Sequence, residues 1–104
     1  MAIAVGDVLM LQDADTGASA KRVMRPCVVL ALSPAIVVVA PRSASHKGLL
    51  PTPETASPGF NKPGSFSRWR VRVARQIAEG AINHGQLAEP YLAEVLALQR
   101  RRSQ

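Results

Sequence analysis

Two residues of this chain have the types and the placement to handle a phosphate: Arg25 and Ser43. Arg25 and Pro26 lead into the apolar run Cys27-Val28-Val29-Leu30-Ala31-Leu32. A second run, Ile36-Val37-Val38-Val39-Ala40, leads out through Pro41 and Arg42 to Ser43. Two such runs, separated by the turn residues Ser33 and Pro34, predict an antiparallel hairpin. Its strands run in opposite directions, so Arg25 enters one at the end where Ser43 leaves the other. A permanently charged guanidinium and a hydroxyl then share one rim of a sheet, where they can neutralise and hydrogen-bond a phosphate.

The rest of the chain must position that rim. Gly6-Asp7 opens a short strand over 8–11, and 13–20, centred on Gly17, reads as a loop in which Asp13 and Asp15 cap turns. Lys21 and Arg22 lead back to the sheet as basic residues available to an anion, and Val23 is expected to point inward. Residues 43–65 hold Pro51, Pro53, Pro58, Pro63, Gly48, Gly59 and Gly64, so they are expected as a long loop. His46 in that loop is the one residue there with a titration range suited to assisting proton transfer. Over 66–73 strict alternation returns, with Trp69, Val71 and Val73 on one face and Arg68, Arg70 and Arg72 on the other. Together with Arg42, those arginines predict a nucleic-acid-binding surface. Residues 75–84 read as a further short strand and turn. A helix is expected over 89–102, started by Glu89-Pro90, with Leu92, Val95, Leu96 and Gln99 as its stripe and Arg100-Arg101-Arg102 at its end. The fold expected is one domain over 1–104, mainly β with a C-terminal α-helix, arranged as a small SH3-like barrel.

Composition bounds the function. The chain has 104 residues, with 13 Lys and Arg against 7 Asp and Glu, a net charge of +6 that favours a polyanionic partner, nucleic acid first. The single cysteine, Cys27, excludes an internal disulfide and reads as a small buried hydrophobe in a reducing compartment, so the protein is expected to be cytoplasmic. No signal peptide is expected, and the longest apolar run is broken at Ser33-Pro34 and too short to span a bilayer, so no membrane partner is expected. There is no Cys/His cluster with metal spacing, no phosphate-binding glycine motif and no Gly-x-Ser-x-Gly turn, so neither metal nor cofactor is expected.

The order Gly6-Asp7-Val8, a loop, Arg25-Pro26 with Val28-Val29-Leu30, then Val38-Val39-Ala40-Pro41 with a nearby hydroxyl resembles the MazF/PemK toxins. Gly85-Gln86-Leu87 ahead of Leu92, Val95 and Leu96 is similar to that family's C-terminal end, so the resemblance spans roughly 5–99. It implies an SH3-like barrel of the MazF/PemK/CcdB type and a type II toxin that cleaves single-stranded RNA without a metal. It also implies a homodimer and inhibition by an acidic antitoxin protein. Carried over by position, Arg25 and Ser43 are the catalytic residues, Ser43 standing where the family has Thr. Arg75 stands where the family carries an acid, and the insert at 43–65 has no family counterpart. A different class stays open: a non-enzymatic binding module on the same barrel, a phage- or plasmid-type inhibitor gripping nucleic acid, an acidic host protein or a nucleoprotein complex. A gyrase poison of the CcdB type ranks below both, because the chain ends Gln99-Arg100-Arg101-Arg102-Ser103-Gln104 without an apolar Trp-Gly-Ile tail.

Overall fold

The computed structural model describes residues 2–17, 23–45 and 47–101. Its centre is a five-stranded antiparallel sheet in the order β6-β3-β2-β1-β7, built from β1 (Asp7–Gln12), β2 (Met24–Leu32), β3 (Ile36–Pro41), β6 (Val71–Ala74) and β7 (Ile82–Gln86). A second, two-stranded sheet pairs β4 (Leu50–Thr52) with β5 (Gly64–Phe66). Three helices complete the described chain: α1 (Asp13–Thr16), α2 (Arg75–Glu79) and α3 (Tyr91–Arg101). The protein is therefore mainly β with a C-terminal helix. The large sheet is open, with β6 and β7 as its two edges.

The predicted hairpin is present, with Cys27 opposite Pro41 and Leu32 opposite Val37. Its connection is Ser33-Pro34-Ala35, one residue longer than expected. The Ser33 amide donates to the Ile36 carbonyl at 2.9 Å, and the Ile36 amide donates to the Ser33 hydroxyl at 3.1 Å. A bulge at Leu30 shifts the register between Val29 and Ala31 and sharpens the local twist. The runs in β2 and β3 are continuously apolar because both faces of this sheet are covered. Leu9, Leu11, Cys27, Val29, Val37, Val39 and Val73 pack on one face with Ile3 and Ala78. Val8, Val28 and Ala40 pack on the other beneath Phe60, Phe66, Val95 and Leu98.

Several expectations are corrected. The stretch expected as an irregular loop over 43–65 is largely built structure: β4, a 3-10 turn at Glu54–Ala56 and β5. Pro51, which has no amide to give, still sits in β4 opposite Ser65 in a short two-stranded ladder. The continuous strand expected over 66–73 is two strands, because the Ser67 hydroxyl accepts the Trp69 amide at 3.2 Å and diverts the backbone from the ladder. Arg68 and Arg70 therefore lie in the connection, and Arg72 alone of the three is in a strand. Where a strand and turn are expected after Ala74, α2 intervenes before β7. Val23, expected inside, is 54% exposed, since it precedes the β2 ladder. The loop expected from Asp13 begins as the single helical turn α1, closed by Gly17 in the left-handed region.

Helix α3 starts where Glu89-Pro90 predicts. The Glu89 carboxylate accepts the Ala93 amide at 2.9 Å, satisfying one of the first-turn donors. Val95, Leu98 and Gln99 are buried, while Leu96, expected in the buried stripe, is only partly covered.

Candidate functional site

Strand register brings Arg25 and Ser43 together. Pro41 faces Cys27, and the Arg42 amide donates to the Pro26 carbonyl at 2.9 Å, so the next step along each strand sets Ser43 across from Arg25. The guanidinium confirms the proximity: its Nη1 donates to the Arg42 carbonyl, in the peptide that precedes Ser43, at 3.0 Å. Ser43 is held by a reciprocal backbone pair with Ser65, both bonds 2.9 Å long. Its hydroxyl accepts the Ser45 amide at 3.1 Å, and a hydroxyl that accepts retains a proton to donate.

Arg25 is fixed from two further sides. Nε donates to Asp13 Oδ1 at 2.8 Å and Nη2 to Asp13 Oδ2 at 3.1 Å, a bidentate pair in which Arg25 is 26% and Asp13 8% exposed. The Trp69 ring centroid lies 5.8 Å from its Cζ, within cation–π range. The hydrogen bond to Asp13, opposed by desolvation and aided by the carboxylate charge, raises the guanidinium pKa above its ordinary value, so Arg25 serves as a fixed cation and never as a base. A guanidinium has five N–H donors. The contacts above use Nε–H and one donor from each terminal nitrogen, so each terminal nitrogen has a second N–H. The corner can thus present charge and donors to one phosphate, a hydroxyl beside it and an aromatic face alongside.

The other basic residues divide. Arg42, expected on the nucleic-acid surface, is instead buried. Its Nε donates to Thr52 Oγ1 at 2.8 Å, and its Nη2 to the carbonyls of Thr52 and Lys62 at 3.0 Å each. Its Cζ stacks 3.8 Å from the Phe60 ring centroid. Burial lowers its pKa, and its role is to fasten the insert to the end of β3. Arg68, Arg70 and Arg72 are exposed. Arg70 and Arg72, with Arg100 of α3, line a groove of about 610 Å³ whose other walls include Leu30, Val38 and Leu96. Lys21, Arg22 and His46 lie outside the described residues.

No protein-family model, curated protein or solved structure matches this chain.

The segments that carry the family resemblance nevertheless meet in space. Gly6, at φ +96°, donates its amide to the Val29 carbonyl at 2.8 Å and accepts the Leu87 amide at 2.9 Å. A Cβ there would lie 2.7 Å from Gln86 Oε1 and 2.9 Å from a Leu92 methyl. The Asp7 carboxylate accepts the Ala4 amide at 3.0 Å, Asn83 Nδ2 at 2.9 Å and Gln86 Nε2 at 2.8 Å. Gly6-Asp7, Gln86-Leu87 and Leu92 therefore form one knot joining β1, β7 and α3. They hold the fold, away from the Arg25 corner. Arg75, standing where the family carries an acid, has a structural task of its own: Nη1 donates to the Ser33 carbonyl at 2.9 Å and Nε pairs with Glu79 at 3.4 Å, pinning the hairpin turn.

Two members of the corner are not legible in the local sequence. Asp13 has the surroundings of a turn cap, yet the register sets Leu11 opposite Arg25, which makes Asp13 the diagonal neighbour on that face. The strand register is the signal that finds it. Trp69 falls on the core face by alternation, but the broken strand leaves it half-buried over Arg25. Among the described residues, no three His, Cys, Asp or Glu side chains gather in a way that could hold a metal ion, and no helix is long and apolar enough to cross a membrane.

Proposed function

We propose that the protein is a metal-independent endoribonuclease of the MazF/PemK kind, acting on single-stranded RNA at the Arg25 corner. The observation that supports it most is the placement of Ser43 across from a guanidinium held on one side by Asp13 and on another by the Arg42 carbonyl. RNA carries its own nucleophile. The 2′-hydroxyl attacks the adjacent phosphorus and expels the 5′-oxygen, leaving a 2′,3′-cyclic phosphate and a 5′-hydroxyl, so the protein need supply no attacking group. What accelerates the step is charge and donors fixed where negative charge grows. Arg25 takes two phosphate oxygens with its remaining N–H groups, and Ser43 donates to the phosphate or the leaving oxygen. Trp69 offers a face on which a flanking base stacks.

The same reading takes the sheet as an SH3-like barrel drawn open at one seam. The turn α1, which follows β1, packs against β6 across the width of β2 and β3. A symmetric dimer, a cytoplasmic location and an acidic antitoxin belong to this reading.

The test is incubation of purified protein with a long single-stranded RNA in EDTA, followed by analysis of the new termini. Cleavage leaving cyclic phosphates, abolished in Arg25→Ala and reduced at least tenfold in Ser43→Ala, is expected; that loss would exceed about 1.4 kcal/mol of transition-state stabilisation. RNA left intact by the wild-type protein, or cut equally well by both variants, would overturn the assignment.

A further inference from the structure

The groove between α3 and the hairpin lies apart from the Arg25 corner. Arg25 alternates with Cys27 and Val29, which pack on one face of the sheet, whereas Leu30 packs with the residues of the opposite face beneath α3. At about 610 Å³ the groove has the size of a small-ligand site. Leu30, Val38 and Leu96 are half-buried in it, the exposed Arg70, Arg72 and Arg100 stand around them, and no acidic residue lines it among the described residues.

Gln99 adds a second, independent observation. It lines the same groove and is only 5% exposed. Its Nε2 donates to the Ser67 carbonyl at 3.0 Å, which fixes the orientation of the amide because a carbonyl can only accept. The carboxamide oxygen is then left buried with no hydrogen-bond partner among the described residues. A buried acceptor without a donor costs about 1–3 kcal/mol. Here it belongs to the wall of a ligand-sized groove.

We propose that this groove is a nucleotide subsite, taking a base against Leu30, Val38 and Leu96, a base N–H on the Gln99 oxygen and phosphate on Arg70, Arg72 and Arg100. Each part selects for that chemistry. A fatty acid would suit the apolar walls but brings one carboxylate to three arginines and no donor for Gln99. A simple inorganic anion would leave the apolar walls and the amide unused. A nucleotide brings an apolar ring face, N–H donors on the ring edge and a phosphate that Arg recognises bidentately. The unit can come from a single strand or from a free nucleotide. The inference stands apart from cleavage at Arg25, since binding here requires no reaction.

The test is NMR titration of isotope-labelled protein with a 2′-O-methyl RNA oligonucleotide, which lacks the attacking hydroxyl and survives whatever the corner does. Saturable shifts are expected at the Gln99 side-chain amide and at Leu30, Val38 and Leu96. Arg70→Ala, Arg72→Ala and Arg100→Ala should each weaken binding about threefold or more, and each should lower the salt slope by about one, as expected when one phosphate is no longer neutralised. Ala31→Trp fills the groove from an exposed position without changing charge and should abolish the shifts, whereas Lys62→Ala removes an exposed charge elsewhere and should leave them intact. Titration with AMP and UMP assigns the source. The same resonances moving with a mononucleotide means a free nucleotide suffices; movement with the oligonucleotide alone means a unit within a strand. Shifts confined to the Arg25 corner, absent altogether, or unchanged in a folded Ala31→Trp protein would overturn the subsite while leaving the cleavage assay to judge the corner separately.

Discussion

Single side chains in this protein are assigned by what surrounds them more than by their type. Arg25 and Arg42 stand on adjacent strands within one rim, yet one keeps part of its guanidinium in solvent and the other is enclosed by Thr52, the Lys62 carbonyl and Phe60. The two aspartates at the ends of β1 differ in the same way. Asp13 orients a candidate catalytic cation, while Asp7 gathers donors from Ala4, Asn83 and Gln86. Burial by itself would raise the Asp7 pKa, but the hydrogen bonds from Asn83, Ala4 and Gln86 outweigh it and hold the carboxyl below its usual value. The folded pKa thus lies under the unfolded one. The stabilisation is complete above the unfolded value and is lost as pH falls through the folded value. Urea melts at pH 7 and again below about pH 4 should show the wild type losing stability on acidification. Asp7→Asn should be weaker at neutral pH by about 1–3 kcal/mol and flatter towards acid. An equal gap between the two proteins at both pH values would exclude this role for Asp7.

Among the elements, the insert between β3 and β6 gains most from the third dimension. Its prolines and glycines mark it as irregular when taken locally. Arg42 reverses that by supplying donors to Thr52 and Lys62, and Phe60 and Phe66 close over it with ring centroids 6.3 Å apart. Gly64 lets β5 approach that arginine. A Cβ at Gly64 would overlap the Ser43 carbonyl and come within 2.9 Å of Arg42 Cζ. Gly64→Ala should therefore cost about 1–3 kcal/mol, lowering Tm by about 5–20 °C for a domain of this size. RNA cleavage should fall with it, because the displaced carbonyl belongs to Ser43. Gly80→Ala is the control: its nearest neighbours would be 3.6 Å away and its φ is −83°, so thermal melts should place it within about 0.5 kcal/mol of wild type. Equal melting temperatures for Gly64→Ala and wild type would show that β5 can yield at this point.

For the molecule as a unit, the sheet is a wall buried on both sides, and Cys27 lies at its centre with no exposed surface. Burial pushes its thiol up to about 12, against the weaker pull of Arg25, so the reactive thiolate is suppressed in the fold. A thiol reagent at pH 8 should leave native protein unmodified and label it at the rate of unfolding, which stopped labelling in a urea series would measure; rapid labelling without denaturant would mean that the sheet opens locally. Part of this architecture is legible in the chain alone. The runs 27–32 and 36–40 are apolar at every position, which suits only strands covered on both faces, and the Glu89-Pro90 start and the Val95 and Leu98 spacing set α3. Local chemistry also determines that Arg25 and Ser43 share a rim, because antiparallel strands joined by a short turn leave no other arrangement. Tertiary structure decides the rest. That Arg42 turns inward, that Asp13 clasps Arg25, that Arg75 serves the hairpin turn and that Gln99 lines an arginine-flanked groove all depend on residues distant in sequence. The physical reason is reach. A backbone period assigns a side chain to a face, but a long guanidinium or carboxamide is then bound by whichever carbonyls, carboxylates and rings other segments bring to that face, and only the packed chain specifies those.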